Sequence, residues 1–149
     1  MSEARILLLT DKDAIIAYAK ARLGMTVSEP MEREMQSWNA RWRAEALDHY
    51  LPKGWSFGVF AGAELQGFIL AQPLLFYRGM TQTIWVEHLE FNSREVATQL
   101  LDTAYRWARD KHLQCLLVEN SGENAAILSD WPHARPLDDR WIEIRSARF

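Results

Sequence analysis

The sequence predicts a single α/β domain built on a mixed sheet with helices on both faces. Residues 81–120 carry most of that expectation. Residues 81–91 (TQTIWVEHLEF) are rich in β-branched and aromatic side chains, as a strand requires. Residues 94–112 repeat Val96, Ala97, Leu100, Leu101, Ala104, Trp107 and Ala108 at three- and four-residue intervals, an apolar helical stripe. Residues 114–119 (QCLLVE) form a short apolar run suited to a strand covered on both faces. Strand, crossover helix and parallel strand make a right-handed βαβ unit. A second observation is a glycine turn between two further β-rich runs, a hairpin, whose strands are antiparallel. Together the two units give mixed pairing. Third, 149 residues with 48% hydrophobic and 25% charged residues suit one domain, 1–149, with a real core.

Taken in order, residues 5–9 (RILLL) read as a first strand, and Thr10 is placed to cap a helix through its hydroxyl. That helix runs to about Leu23, burying Ile15, Ile16, Ala19 and Leu23, with Gly24 suited to its end. Residues 27–30 connect to a second helix, from about Met31 to Tyr50, with Met31, Met35, Trp38, Trp42, Ala46 and His49 near one face; Pro52 and Gly54 stop it. Residues 55–60 and 65–75 are the hairpin strands, with Gly62 in the turn. Residues 77–80 turn the chain into the long strand. Asn92 and Ser93 break that strand before the helix. Residues 121–130 fit a short helix, Pro132 and Pro136 mark a loop, and residues 140–148 alternate like a last strand.

Net charge is −3 with acids and bases interspersed and no basic stripe, which argues against nucleic acid as a partner. No apolar stretch approaches a membrane span, and the N-terminus lacks a signal pattern, so a cytoplasmic location is expected. The single cysteine, Cys115, lies in an expected buried strand and reads as an inert apolar group. Four scattered histidines without ligand spacing give no metal site, and neither a nucleophile elbow nor a phosphate loop is present.

Glu87 and His88 are the base candidates. Strand alternation puts Trp85, Glu87, Leu89 and Phe91 on one face and His88 and Glu90 on the other, unless a bulge turns the strand. The Trp38 and Trp42 pair, with Met31 and Met35, reads as core at helical spacing, with an acceptor pocket as the alternative. The hairpin aromatics Trp55, Phe57, Phe68, Phe76 and Tyr77 read as packing or as a dimer surface.

The order of elements, residues 85–101 (WVEHLEFNSREVATQLL), residues 115–120 (CLLVEN) and Asn124 with Ala125 and Ala126 resemble the GCN5-related N-acetyltransferase (GNAT) superfamily. The resemblance covers nearly the whole chain in element order. It implies a splayed sheet that binds acyl-CoA, here acetyl-CoA, between two parallel strands, and direct acyl transfer to a small-molecule or protein amine. It implies that the backbone of Leu89, Glu90 and Phe91 pairs with the pantetheine arm. Asn92, Ser93, Arg94, Glu95, Val96 and Ala97 would then offer backbone N–H groups to the pyrophosphate, and Asn120 and Asn124 would complete the cofactor site. Glu87 or His88 would take the proton of the amine. The family usually has a glycine-containing loop before the helix, whereas no glycine lies between Gly79 and Gly122 here. Asn92 and Glu95 have the spacing of a capping box, which would occupy the first N–H donors with side chains, and Arg94 is the one cation in the turn. A tyrosine that family members often carry after the second parallel strand is missing from residues 121–131. Two functions follow: an N-acetyltransferase, or a GNAT-fold module that has lost catalysis and binds a partner.

Overall fold

The computed structural model describes residues 2–146. A seven-stranded sheet runs in the order β1-β2-β3-β4-β5-β7-β6. The strands are β1 Ser2–Ile6, β2 Phe57–Ala61, β3 Glu64–Leu75, β4 Gln82–Phe91, β5 Cys115–Glu119, β6 Ala134–Pro136 and β7 Trp141–Arg145. The helices are α1 Lys12–Thr26, α2 Pro30–Trp38, α3 Ala44–Tyr50, α4 Arg94–Asp110 and α5 Gly122–Leu128. Every neighbouring pair is antiparallel except β4 and β5, so the sheet is mixed, as the βαβ unit and the hairpin require.

The sheet separates two cores. On one side α4 lays Val96, Ala97, Leu100, Leu101, Ala104 and Ala108 onto Val59, Ile69, Ile84, Leu116 and Ile144. On the other, α1 and α3 bring Ile15, Ala19, Leu47 and Tyr50 onto Phe60, Phe68 and Leu70. Phe57 and Phe68 are therefore packing residues, while Phe76 lies 74% exposed at the β3–β4 turn.

Several elements depart from the sequence expectation. The first strand is Ser2–Ile6 rather than residues 5–9, because Asp11 accepts from the Leu8 N–H at 2.7 Å and pairs with Arg5 at 2.9 Å. Those bonds fold Leu8 and Leu9 out to solvent in a tight turn and leave no capping role for Thr10. Helix α1 runs through Gly24 to Thr26. The expected long second helix is two helices, α2 and α3, interrupted over residues 39–43. Trp42 turns into the core, whereas Met31, Met35 and Trp38 are 71%, 53% and 63% exposed. Helical spacing reports a shared face, not whether that face is covered. Residues 134–136, expected as loop, add the edge strand β6, where the missing N–H of Pro136 is tolerated. The last strand ends at Arg145; residues 147 and 148 of the expected strand lie outside the described residues. Among the described residues no helix is long and apolar enough to cross a membrane.

Candidate functional site

Two local events in β4 shape the site. The first is a break in register against β3: Leu70 pairs with His88, but Ala71 pairs with Val86. Glu87 is the extra residue of a β-bulge, and a bulge shifts every later side chain to the other face. Leu89 and Phe91 consequently pack on the α4 side with Ile84 and Val86. The face shared by Trp85, Glu87, Leu89 and Phe91 that simple alternation gives is thus replaced. Glu87 and His88 instead lie on the same side, towards α1 and α3. There the Glu87 carboxylate accepts from the amide of Gln72 and lies near the Tyr50 hydroxyl. His49 bonds Gln72 at 2.9 Å, and Arg41 donates to the Glu87 carbonyl oxygen. Burial, with the nearby Glu87 carboxylate, pushes the Tyr50 hydroxyl well above the usual phenol range, so it stays protonated.

His88 is held differently. Its ring lies 5.4 Å from Phe68 and its Nε2 lies 3.2 Å from Glu90, which also accepts from Arg22 of α1 at 3.1 Å. Burial raises the Glu90 carboxyl, but His88 and Arg22 outweigh it and hold the group below the ordinary range.

The second event is the parting of the parallel strands. β4 and β5 pair only over Thr83–Cys115, Ile84–Leu116 and Trp85–Leu117, although β4 continues to Phe91. From Val86 onward β4 has no β5 partner, which opens a cleft leading to the start of α4. A pocket of about 260 Å³ lies there, lined by Arg22, Phe91, Asn92, Ser93, Arg94, Glu123, Ala126 and Ile127.

The residues around that pocket correct the expected cap. Ser93, not Asn92, caps α4, its Oγ accepting from the Val96 N–H at 3.2 Å. Asn92 is tied back to β3 through Gln66, by its N–H and its side-chain amide. Val96 and Ala97 have their N–H groups taken by Ser93, and their side chains are core. No capping box forms with Glu95, which lines a separate open groove along the outer face of α4. Among the described residues, none accepts from the N–H of Arg94 or Glu95, the donors a helix start leaves free. Nor is Arg94 the lone cation: Arg22 arrives from α1, far away in sequence, and Arg94 itself donates to the Ala126 carbonyl at 3.1 Å.

Of the remaining sequence candidates, Asn124 is 7% exposed and donates to the Glu119 carbonyl, tying α5 to β5. Asn120 donates to the Asp138 carbonyl and lines a different pocket beside β6. Neither meets the pocket at α4. Sequence reading missed Arg22, Tyr50, Gln72, Arg41, Glu123 and Ile127; each reaches the site through tertiary packing and carries no local motif. Burial pushes the Cys115 thiol up, and its sulfur contacts Thr83 Oγ1 at 3.4 Å, an inert setting. Among the described residues no cluster of His, Cys, Asp and Glu is placed to hold a metal ion.

No protein-family model and no curated protein matches the sequence. The structure does match solved structures. A PaiA N-acetyltransferase from Thermoplasma acidophilum in complex with coenzyme A aligns at TM-score 0.70 and 15% identity, over 97% of this chain and 99% of that one. A Drosophila melanogaster polyamine N-acetyltransferase, which catalyses formation of N-acetylagmatine, aligns at 0.66 and 11% identity over 97% and 98%. A probable acetyltransferase from Staphylococcus epidermidis aligns at 0.66 and 17% identity over 96% and 95%. With its mixed sheet, parted parallel strands and flanking helices, the chain has the GCN5-related N-acetyltransferase fold.

Proposed function

We propose that the protein is an N-acetyltransferase that moves an acetyl group from acetyl-CoA to an amine. The observation that carries this reading is the cleft between β4 and β5, which ends on a helix start with free N–H groups and two guanidiniums. The pieces fit an acyl-CoA. The backbone of Leu89, Glu90 and Phe91, paired with β3 but without a partner on the β5 side, suits the amide-bearing arm, and Arg22, Arg94 and the first N–H groups of α4 suit a pyrophosphate. Acetyl-CoA supplies a thioester carbon open to direct attack.

Glu87 is the base in this reading. Gln72 holds its carboxylate where β4 bulges, with the Tyr50 hydroxyl nearby, beside the opened cleft. It takes one proton from the entering ammonium and passes it to solvent. The amine nitrogen bonds the acetyl carbon as the carbon–sulfur bond breaks, and the second amine proton goes to the leaving thiolate. The His88–Glu90–Arg22 chain links the base region to the pocket and serves to position Arg22.

The test is thiol release from acetyl-CoA across a panel of amines. Glu87→Gln should lower kcat about 100-fold or more at saturating acetyl-CoA, with the affinity for acetyl-CoA unchanged. An unchanged rate removes Glu87 from the chemistry.

The exposed stripe of Met31, Met35 and Trp38 is the feature that favours the second reading, a partner-binding module without catalysis. One of its sequence arguments, a capping box of Asn92 and Glu95, is not met: Ser93 caps the helix instead and takes the Val96 N–H.

A further inference from the structure

Glu143 on β7 has a side chain with no exposed surface, and three arginines converge on it. Arg78 donates at 2.9 Å, Arg135 at 3.3 Å and Arg145 at 2.6 Å. One carboxylate cannot balance three guanidiniums, so two positive charges remain on a chain whose net charge is −3. Each guanidinium spends one N–H on Glu143 and has five. Arg78, Arg135 and Arg145 keep 43%, 62% and 30% of their side-chain surface exposed, so a ligand can approach them.

The backbone goes out of its way to deliver one of them. Arg78 stands at φ 57 and Phe76 at φ 55, left-handed conformations that non-glycine residues avoid. Strain of this kind persists where the surroundings hold it, and it gathers at ligand sites.

The cluster also shares a surface with Glu87. Trp85, Leu117, Glu143 and Arg135 are successive cross-strand partners on β4, β5, β7 and β6, so their side chains stand on one face. Trp85 pairs with Gln72, the residue that holds Glu87. Two strand spacings, about 10 Å, separate Trp85 from Glu143. Leu117 stands between them, and Trp141, two residues from Glu143 on β7, lies against Trp85 with ring centres 6.0 Å apart, an apolar floor.

We propose that Arg78, Arg135 and Arg145 bind an anionic group of the acceptor, which is therefore an amine carrying a carboxylate or a phosphate about 10 Å or more from its nitrogen, since Glu87 lies two residues beyond Trp85 on β4. This rests on the N-acetyltransferase reading for the amine end. Glu143 fixes the three guanidiniums in advance, so little side-chain freedom is lost when the anion arrives. The apolar floor accepts the chain between the two charged ends. A polyamine is disfavoured, because its second cation would meet the arginines.

Four acceptors of one chain length test this: 6-aminohexanoate, 6-aminohexyl phosphate, hexylamine and hexane-1,6-diamine, each assayed by thiol release from acetyl-CoA. Acetylation should be most efficient for one of the two anionic amines, and which one leads separates carboxylate from phosphate. Arg135→Ala, on the most exposed of the three, should raise KM for that amine about tenfold with kcat little changed, and leave hexylamine unaffected. Arg78→Ala should act in the same direction. Preference for the diamine, or an equal effect of both variants on all four amines, overturns the proposal. If no amine is acetylated, NMR of the arginine Nε–H groups during titration with 6-aminohexanoate and 6-aminohexyl phosphate decides separately. Shifts at the three arginines retain the anion site and count against acetyl transfer. No shift with either anion overturns the site.

Discussion

Glu143 is a buried carboxylate with three arginine partners, so its charge state bears directly on stability. Burial raises its carboxyl, but hydrogen bonds and charge from Arg145, with help from Arg78 and Arg135, prevail and hold it below the ordinary range. Asp11 is lowered likewise, chiefly by its hydrogen bond from Arg5, against the opposing effect of burial. A folded-state pKa below the unfolded value contributes stability that is complete above the unfolded value, about 4 for carboxylates. That contribution fades as pH falls through the lower folded value. Denaturant unfolding should show stability falling below about pH 4, and Glu143→Gln should flatten part of that fall. At neutral pH the same variant leaves three guanidiniums without their carboxylate and should cost about 3–5 kcal/mol. A loss under 1 kcal/mol, within the range of an exposed pair, would show that water already serves these arginines. Nothing at position 143 announces this in the sequence, where a glutamate in an alternating strand reads as a solvent-facing charge.

Helix α4 is the element on which the cores and the pocket depend together, and its stripe was legible because period 3.6 over 17 residues leaves little ambiguity. Its start was less legible. Asn92 and Ser93 are both good caps, and only the tie of Asn92 to Gln66 assigns the role to Ser93. Ser93→Ala should cost about 1 kcal/mol in urea unfolding; no change would mean that another group takes the Val96 N–H. Gly67 on β3 is a second support. A Cβ there would stand 2.6 Å from Val96 Cγ1 and 2.8 Å from the Glu90 carbonyl, so β3, β4 and α4 meet without room for a methyl. Gly67→Ala should destabilise by about 1–3 kcal/mol and loosen the pocket, and an unaltered midpoint would contradict that packing. The β4 bulge and the break between α2 and α3 were not legible. A bulge is a mismatch between two strands, visible only once β3 is set against β4, and a helical stripe looks the same covered or bare.

For the whole molecule, the order of strands and helices carried the fold, since hairpin and βαβ units have short-range signals and the mixed sheet follows from joining them. The site did not follow in the same way. Phe91 to Arg94, which line the pocket, are contiguous and were among the residues the sequence singled out; the rest of the lining comes from α1 and α5 through long-range packing. Arg22 belongs to the pocket because α1 crosses the sheet beside Glu90. On the proposed function, the opened strands and the helix start form one acyl-CoA site. Calorimetric titration of the protein with acetyl-CoA and CoA tests it most directly. Saturable micromolar binding of both is expected, weakened in Arg22→Ala and in Arg94→Ala. No heat of binding up to millimolar ligand, in protein that is folded, would contradict it.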